Sequence, residues 1–258
     1  PFVAAFLVVW TSAAAYGETS PGLGPYDTEL RQAEWLGREI HELEQAQQVA
    51  SEAARRVRGF RRDREVRGAL ATRVGDSFEV DFAGRDSQGQ WVARYRATVG
   101  PEGRVRGAAE RLREPVLLEP ERARRFDARE RALAYPFARC PGDVSIVVVS
   151  EADNETGLLR AYLLAASARK SIAVGGNFRM DLAADRSIQA TRGFTNTCIQ
   201  LSEDPRAFAL SLTHLLDPHP TEIHVLSNLR AAKPLYVVTT PNRSMWSVSD
   251  GSVRFVQA

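Results

Sequence analysis

Three of the four histidines fall within eleven residues, at His214, His219 and His224, with Asp217, Thr221 and Glu222 between them. A neutral imidazole offers a nitrogen lone pair, and a carboxylate offers negative charge or a base. Such side chains hold a divalent metal ion or run general acid–base chemistry. Zinc held by His214, His219 and His224 would polarise a carbonyl and lower the pKa of a bound water, with Asp217 or Glu222 handling the proton. The spacing is His-x4-His-x4-His, which matches no helical zinc signature, and His-Glu-x-x-His is absent. Pro218 and Pro220 make the middle a loop. A polar turn with no cofactor therefore stands beside the zinc site as an expectation. His41, alone beside the apolar stripe of a helix, reads as a surface or boundary residue.

The elements that would position this segment follow from its flanks. Residues 208–215 form a strand ending in Thr213-His214. A helix starts at Pro220-Thr221, with Thr221 as N-cap, and continues to Ala232, where Lys233-Pro234 breaks it. A strand over 222–229 is the rival, because Ile223 and Val225 are β-branched. Residues 235–239 return as a buried strand. A hairpin through Asp250-Gly251 closes the chain, with arms at 246–249 and 253–256.

This order resembles the C-terminal half of the JAMM/MPN metallopeptidase fold. Thr213-His214 resembles the end of that family's metal-binding strand. Pro220-Thr221-x-x-His224 resembles its Pro-Ser-x-x-Asp helix start, and Pro234-Leu235-Tyr236-Val237-Val238-Thr239 its following strand. The resemblance covers about thirty residues, ending near Trp246. It implies zinc-dependent hydrolysis of an amide bond in a peptide or cell-wall substrate. Leu216 stands where the family places a second histidine, and His224 stands where it places an aspartate. The family's glutamate would come from an earlier element, where Glu151 and Glu155 are the candidates.

The other end of the chain sets the compartment. Residues 2–10 are an unbroken apolar run, and small residues follow at cleavage-site spacing. Residues 1–17 read as a signal peptide cut after Ala15 or Gly17. The run is shorter than the roughly 20 apolar residues that span a bilayer. An uncleaved membrane anchor is the alternative, and is the only membrane attachment expected. The expected location is periplasmic or secreted. There, two cysteines, Cys140 and Cys198, read as one disulfide, with two buried thiols or a reactive thiol as alternatives. No Cys-x-x-Cys is present.

The formal net charge is only +2, so the chain as a whole carries no electrostatic mandate for nucleic acid. Locally the balance differs. Arg55, Arg56, Arg58, Arg61, Arg62, Arg64 and Arg67 crowd one stretch, against Asp63 and Glu65. That stretch suits an anionic envelope surface or a protein partner, or else a solvated helix face. There is no Gly-x-Ser-x-Gly elbow and no Walker loop.

The remaining pattern gives an α+β fold with a long N-terminal helix and a largely antiparallel mixed sheet. Leu36, Ile40, Leu43, Gln47, Ala50, Ala54 and Val57 mark one stripe of a helix over 27–57, weakened by Gln47 and the alanines. Strands follow at 78–82 and 91–99, a third starts at Arg104, and Pro120 opens a helix to Ala134. Beyond it come strands at 143–150, 158–165 and 195–201, and a hairpin at 175–183 and 187–192. An α+β region at 26–137 and a mostly-β region at 138–258 are expected. Two functions fit: a non-catalytic, envelope-associated binding module working through residues 55–67, or a zinc-dependent JAMM-like amide hydrolase.

Overall fold

The structure is a computed structural model that describes residues 24–150, 157–167, 170–202 and 204–257. Residues 1–17, Glu151 and Glu155 lie outside the described residues. The fold is α+β. Helix α1 spans Asp27–Ala54 and carries the expected stripe as far as Ala54, with Val57 beyond its end: Leu36, Ile40 and Leu43 are buried, each worth about 1.5–3 kcal/mol of apolar burial. Four antiparallel strands follow in sequential order: β1 (Gly68–Val74), β2 (Ser77–Arg85), β3 (Trp91–Val99) and β4 (Glu110–Leu117). Helix α2 runs over Pro120–Ala134, with Pro120 in its first turn, where its missing N–H costs no bond.

A second antiparallel sheet has the order β5 (Val144–Ser150), β6 (Leu159–Ala165), β8 (Phe178–Leu182), β9 (Ile188–Gly193). Two short strands, β7 (Ser171–Ala173) and β10 (Gln200–Ser202), pair beside it. The last unit is mixed: β11 (Leu210–His214), α3 (Glu222–Ala231), β12 (Leu235–Thr239), β13 (Ser244–Ser249) and β14 (Ser252–Gln257). Strands β11 and β12 are parallel, joined through α3 by the crossover that a parallel pair needs, and the other pairs are antiparallel.

Alternation along the strands covers both faces of the first two four-stranded sheets. Ala71, Val147, Val149, Tyr162 and Leu164 pack in one cluster with α1. Their neighbours Leu70, Ile146, Val148, Ala161 and Leu163 pack in another with Phe126 and Ala132 of α2. Strands β1 and β5 lie at the adjoining edges with no backbone ladder between them. Gln47 of α1 donates to Ile146 O at 2.9 Å, and Arg125 of α2 donates to Val148 O at 2.6 Å, so side chains join the two edges. Ile223 and Leu226 of α3 enter the α1 cluster, while Trp246 and Val237 centre a third.

Several expectations move. The strand expected to start at Arg104 is instead β4, at 110–117, because residues 100–103 turn the chain back and leave one bridge between Val99 and Val105. Residues 222–231 are helix, not strand. Thr221 and His224 form a capping box there, which outweighs the β-branched pair. Of 195–201, only the end is strand. Cys198 is bonded to Cys140 across 58 residues. This bridge is what an oxidising, extracytoplasmic compartment allows. Among the described residues no helix is long and apolar enough to cross a membrane.

Candidate functional site

The histidine segment spans the end of β11 and the start of α3. His214 is buried, and its Nε2 lies 2.7 Å from Asp217 Oδ2. The Asp217 backbone N–H reaches the same nitrogen at 3.2 Å. Arg192, on β9, donates to Asp217 Oδ2 at 2.5 Å. Burial pushes the Asp217 carboxyl up, but the His214 hydrogen bond and the Arg192 guanidinium outweigh it and hold the group below the usual carboxylate range.

His224 is the third residue of α3. Its Nδ1 accepts the Thr221 N–H at 2.9 Å, filling one orphan donor of the helix start. Burial, and then the neighbouring His214, lower its pKa to about 3, so the ring is neutral at ordinary pH. The His214 and His224 rings meet edge to face, with centroids 4.5 Å apart.

The other two candidates point elsewhere. His219 is half-buried; its Nδ1 lies 2.9 Å from Pro220 O, and its ring packs 5.1 Å from that of Tyr26. Glu222 is buried and turns toward the second sheet. Its Oε1 accepts from Tyr162 Oη at 3.1 Å and from Arg179 Nη1 at 2.8 Å. Burial raises the Tyr162 hydroxyl well above its ordinary value, so it stays a donor to Glu222.

The structure therefore brings together His214, Asp217 and His224, adds Arg192, and sends His219 and Glu222 apart. As placed, these side chains do not make a zinc-binding set. One nitrogen of His224 is committed to the helix cap and one of His214 to Asp217. Among the described residues no group of three or more His, Cys, Asp or Glu is arranged to hold a metal ion. Sequence spacing carried no signal for Arg192, which lies far along the chain on another sheet.

The arginine segment has a different character. It leaves the end of α1 and returns to β1 through a short 3-10 turn at Phe60–Arg62. Val57, Phe60 and Val66 pack against the α1 core, and the Phe60 ring stands edge-on to Phe82 and Tyr95 at 5.1 and 5.0 Å. Gly84 lets the segment lie close, because a Cβ there would meet Glu65 O at 1.8 Å. With the apolar side chains turned in, Arg55, Arg56, Arg58, Arg61, Arg62, Arg64 and Arg67 are all exposed.

Both carboxylates of the stretch are drawn away from these arginines. Asp63 Oδ2 accepts the Tyr95 hydroxyl at 3.0 Å, and its Oδ1 accepts the Glu65 N–H at 3.1 Å. Glu65 pairs with Arg94 of β3. Arg61 caps a carbonyl, donating from Nε to Arg55 O at 3.3 Å. Among the described residues, none of the seven arginines has a carboxylate within ion-pair distance. The result is a firmly backed basic surface whose seven arginines form no ion pair among the described residues.

Compared with protein-family models, with curated proteins and with solved structures, the chain matches none.

Proposed function

We propose that this protein is a non-catalytic, periplasmic or secreted binding module that rests on an anionic envelope surface through residues 55–67. The observation that carries this reading is the set of seven exposed arginines, none of which has a carboxylate within ion-pair distance among the described residues, with Asp63 and Glu65 of the same stretch bonded instead to Tyr95 and Arg94. A guanidinium presents a rigid fork of donors suited to phosphate and carboxylate oxygens. The segment is pinned by Phe60, Val57 and Val66, so little order has to be imposed on binding. Such attraction fades within a Debye length, about 8 Å at physiological salt, and must be salt-sensitive. The test is co-pelleting of the oxidised protein with phosphatidylglycerol vesicles and with neutral vesicles. Binding to the anionic vesicles alone, lost on adding salt, is expected; no binding at low salt would overturn the reading.

The parallel β11–α3–β12 crossover followed by a hairpin favours a second reading, a JAMM-like architecture. Hydrolysis on that reading would need His214 released from Asp217 and His224 released from the helix cap. Metal content by plasma mass spectrometry tests it. Near-stoichiometric zinc, lost in His214→Ala, would establish a metal centre, and metal-free protein that takes up no added zinc would remove it.

A further inference from the structure

Beside the arginine segment, a groove of about 720 Å3 runs between α1 and the start of β5. It joins the segment at two points. Arg55 belongs to both, and Arg129, in the groove, donates from Nη1 to the Arg67 carbonyl at 3.1 Å. The lining is polar. Arg55, Arg129 and Lys170 supply positive charge, against Glu52 and Asp143, while Gln48, Ser51 and Ser145 offer neutral hydrogen-bonding groups. Arg230 and Glu44 also border it but are paired with each other at 2.5 Å.

This shape discriminates between anionic surfaces. A flat bilayer meets exposed arginines but cannot enter a groove. A linear chain can cross the arginine segment and continue between α1 and β5, placing its anionic groups by Arg55 and Arg129 and its neutral atoms by Gln48 and Ser51. Resting on the envelope-binding reading above, we infer that the partner is a linear phosphate-bearing polymer, one stretch of which lies in this groove.

The test uses the full oxidised chain, labelled linear inorganic polyphosphate followed by fluorescence anisotropy, and phosphatidylglycerol vesicles followed by pelleting. Gln48→Trp and Ser51→Trp fill the groove without touching charge; Gln48 is exposed, so its variant reports even where Ser51→Trp folds poorly. The expected result is polyphosphate binding weakened about tenfold in both variants, a decade in Kd, with vesicle pelleting unchanged. Arg55→Ala should make the dependence of log affinity on log salt shallower by about one unit, as loss of a phosphate contact does. Unchanged polyphosphate affinity in both tryptophan variants would overturn the groove while leaving the arginine surface standing. Wild-type protein that pellets with vesicles but ignores polyphosphate would do the same. Wild-type protein that binds neither would overturn the envelope-binding reading itself, and this inference with it.

Discussion

Gln47 and Arg125 reach the backbone of Ala71 from helices on opposite faces of the sheet: Gln47 Oε1 accepts the Ala71 N–H at 3.1 Å, and Arg125 Nη2 donates to the Ala71 carbonyl at 2.7 Å. Each side chain then continues to β5, at Ile146 and Val148. Both backbone groups of Ala71 and the carbonyls of Ile146 and Val148 are thus satisfied without a ladder between the two edges. Arg125 does this at a cost, since burial lowers its pKa to about 10. Gln47→Leu leaves the Ala71 N–H and the Ile146 carbonyl unpaired, each worth about 1–3 kcal/mol. Urea denaturation should show a loss of about 2–4 kcal/mol; a midpoint equal to wild type would contradict the bridging role.

Acid stability should depend on His224. The unfolded imidazole takes a proton below about 6.5, while the folded ring stays neutral down to about 3. Between those values the unfolded chain holds the extra proton. Stability therefore falls with falling pH, by about 1.4 kcal/mol per pH unit within the window. His41, also lowered by burial, adds in the same direction. His224→Gln keeps a capping-box side chain and removes this titration. Its stability should fall less steeply between pH 6 and 4 than that of wild type. Parallel curves would show that His224 is protonated in the fold.

Glu222 acts as a structural acceptor in its present geometry. Glu222→Ala leaves the buried Tyr162 hydroxyl without its acceptor and removes one of the two carboxylates paired with Arg179, the other being Asp181 at 3.0 Å, and should cost about 1.5–3 kcal/mol. Tyr162→Phe removes one bond to a charged group and should cost about 1.5–3 kcal/mol. In a double-mutant cycle the two losses should not add, because both act on one network. Full additivity would mean that Glu222 is held by something other than Tyr162.

The Cys140–Cys198 bridge closes a loop of 58 residues. On the chain-entropy account such a loop contributes about 4 kcal/mol. Cys140→Ser combined with Cys198→Ser, or reduction of the wild type, should lower the thermal midpoint by an amount consistent with that figure. An unchanged midpoint would mean that the loop is ordered equally well without its link.

The helices were legible because their signals are local. The stripe of α1, Pro120 at the start of α2 and the Thr221 cap of α3 each sit within a few residues of the element they define. Strand β1 was not, since Gly68, Ala69 and Ala71 carry little β signal and buried Leu70 and Ala71 stand side by side under covered faces. Strand β4 escaped for the opposite reason: as an exposed edge, it shows no alternation. Gln47 looks like a flaw in the apolar stripe, and its purpose becomes visible only when β1 and β5 meet beneath it. The same holds for the two candidate sites. Histidine density in sequence says nothing of where the rings turn. Asp63 and Glu65 look like neutralisers of the arginines until Tyr95 and Arg94, brought in by β3, claim them.

The basic surface is tested most directly by reversing its charge. The variant Arg58→Glu, Arg61→Glu, Arg62→Glu alters three exposed side chains and leaves Phe60, Asp63 and Glu65 in place. Its co-pelleting with phosphatidylglycerol vesicles at low salt should be measured beside wild type, with circular dichroism confirming the fold. Wild type should pellet and the folded variant should stay in the supernatant. Equal pelleting of the two would contradict the assignment of residues 55–67 as the binding surface.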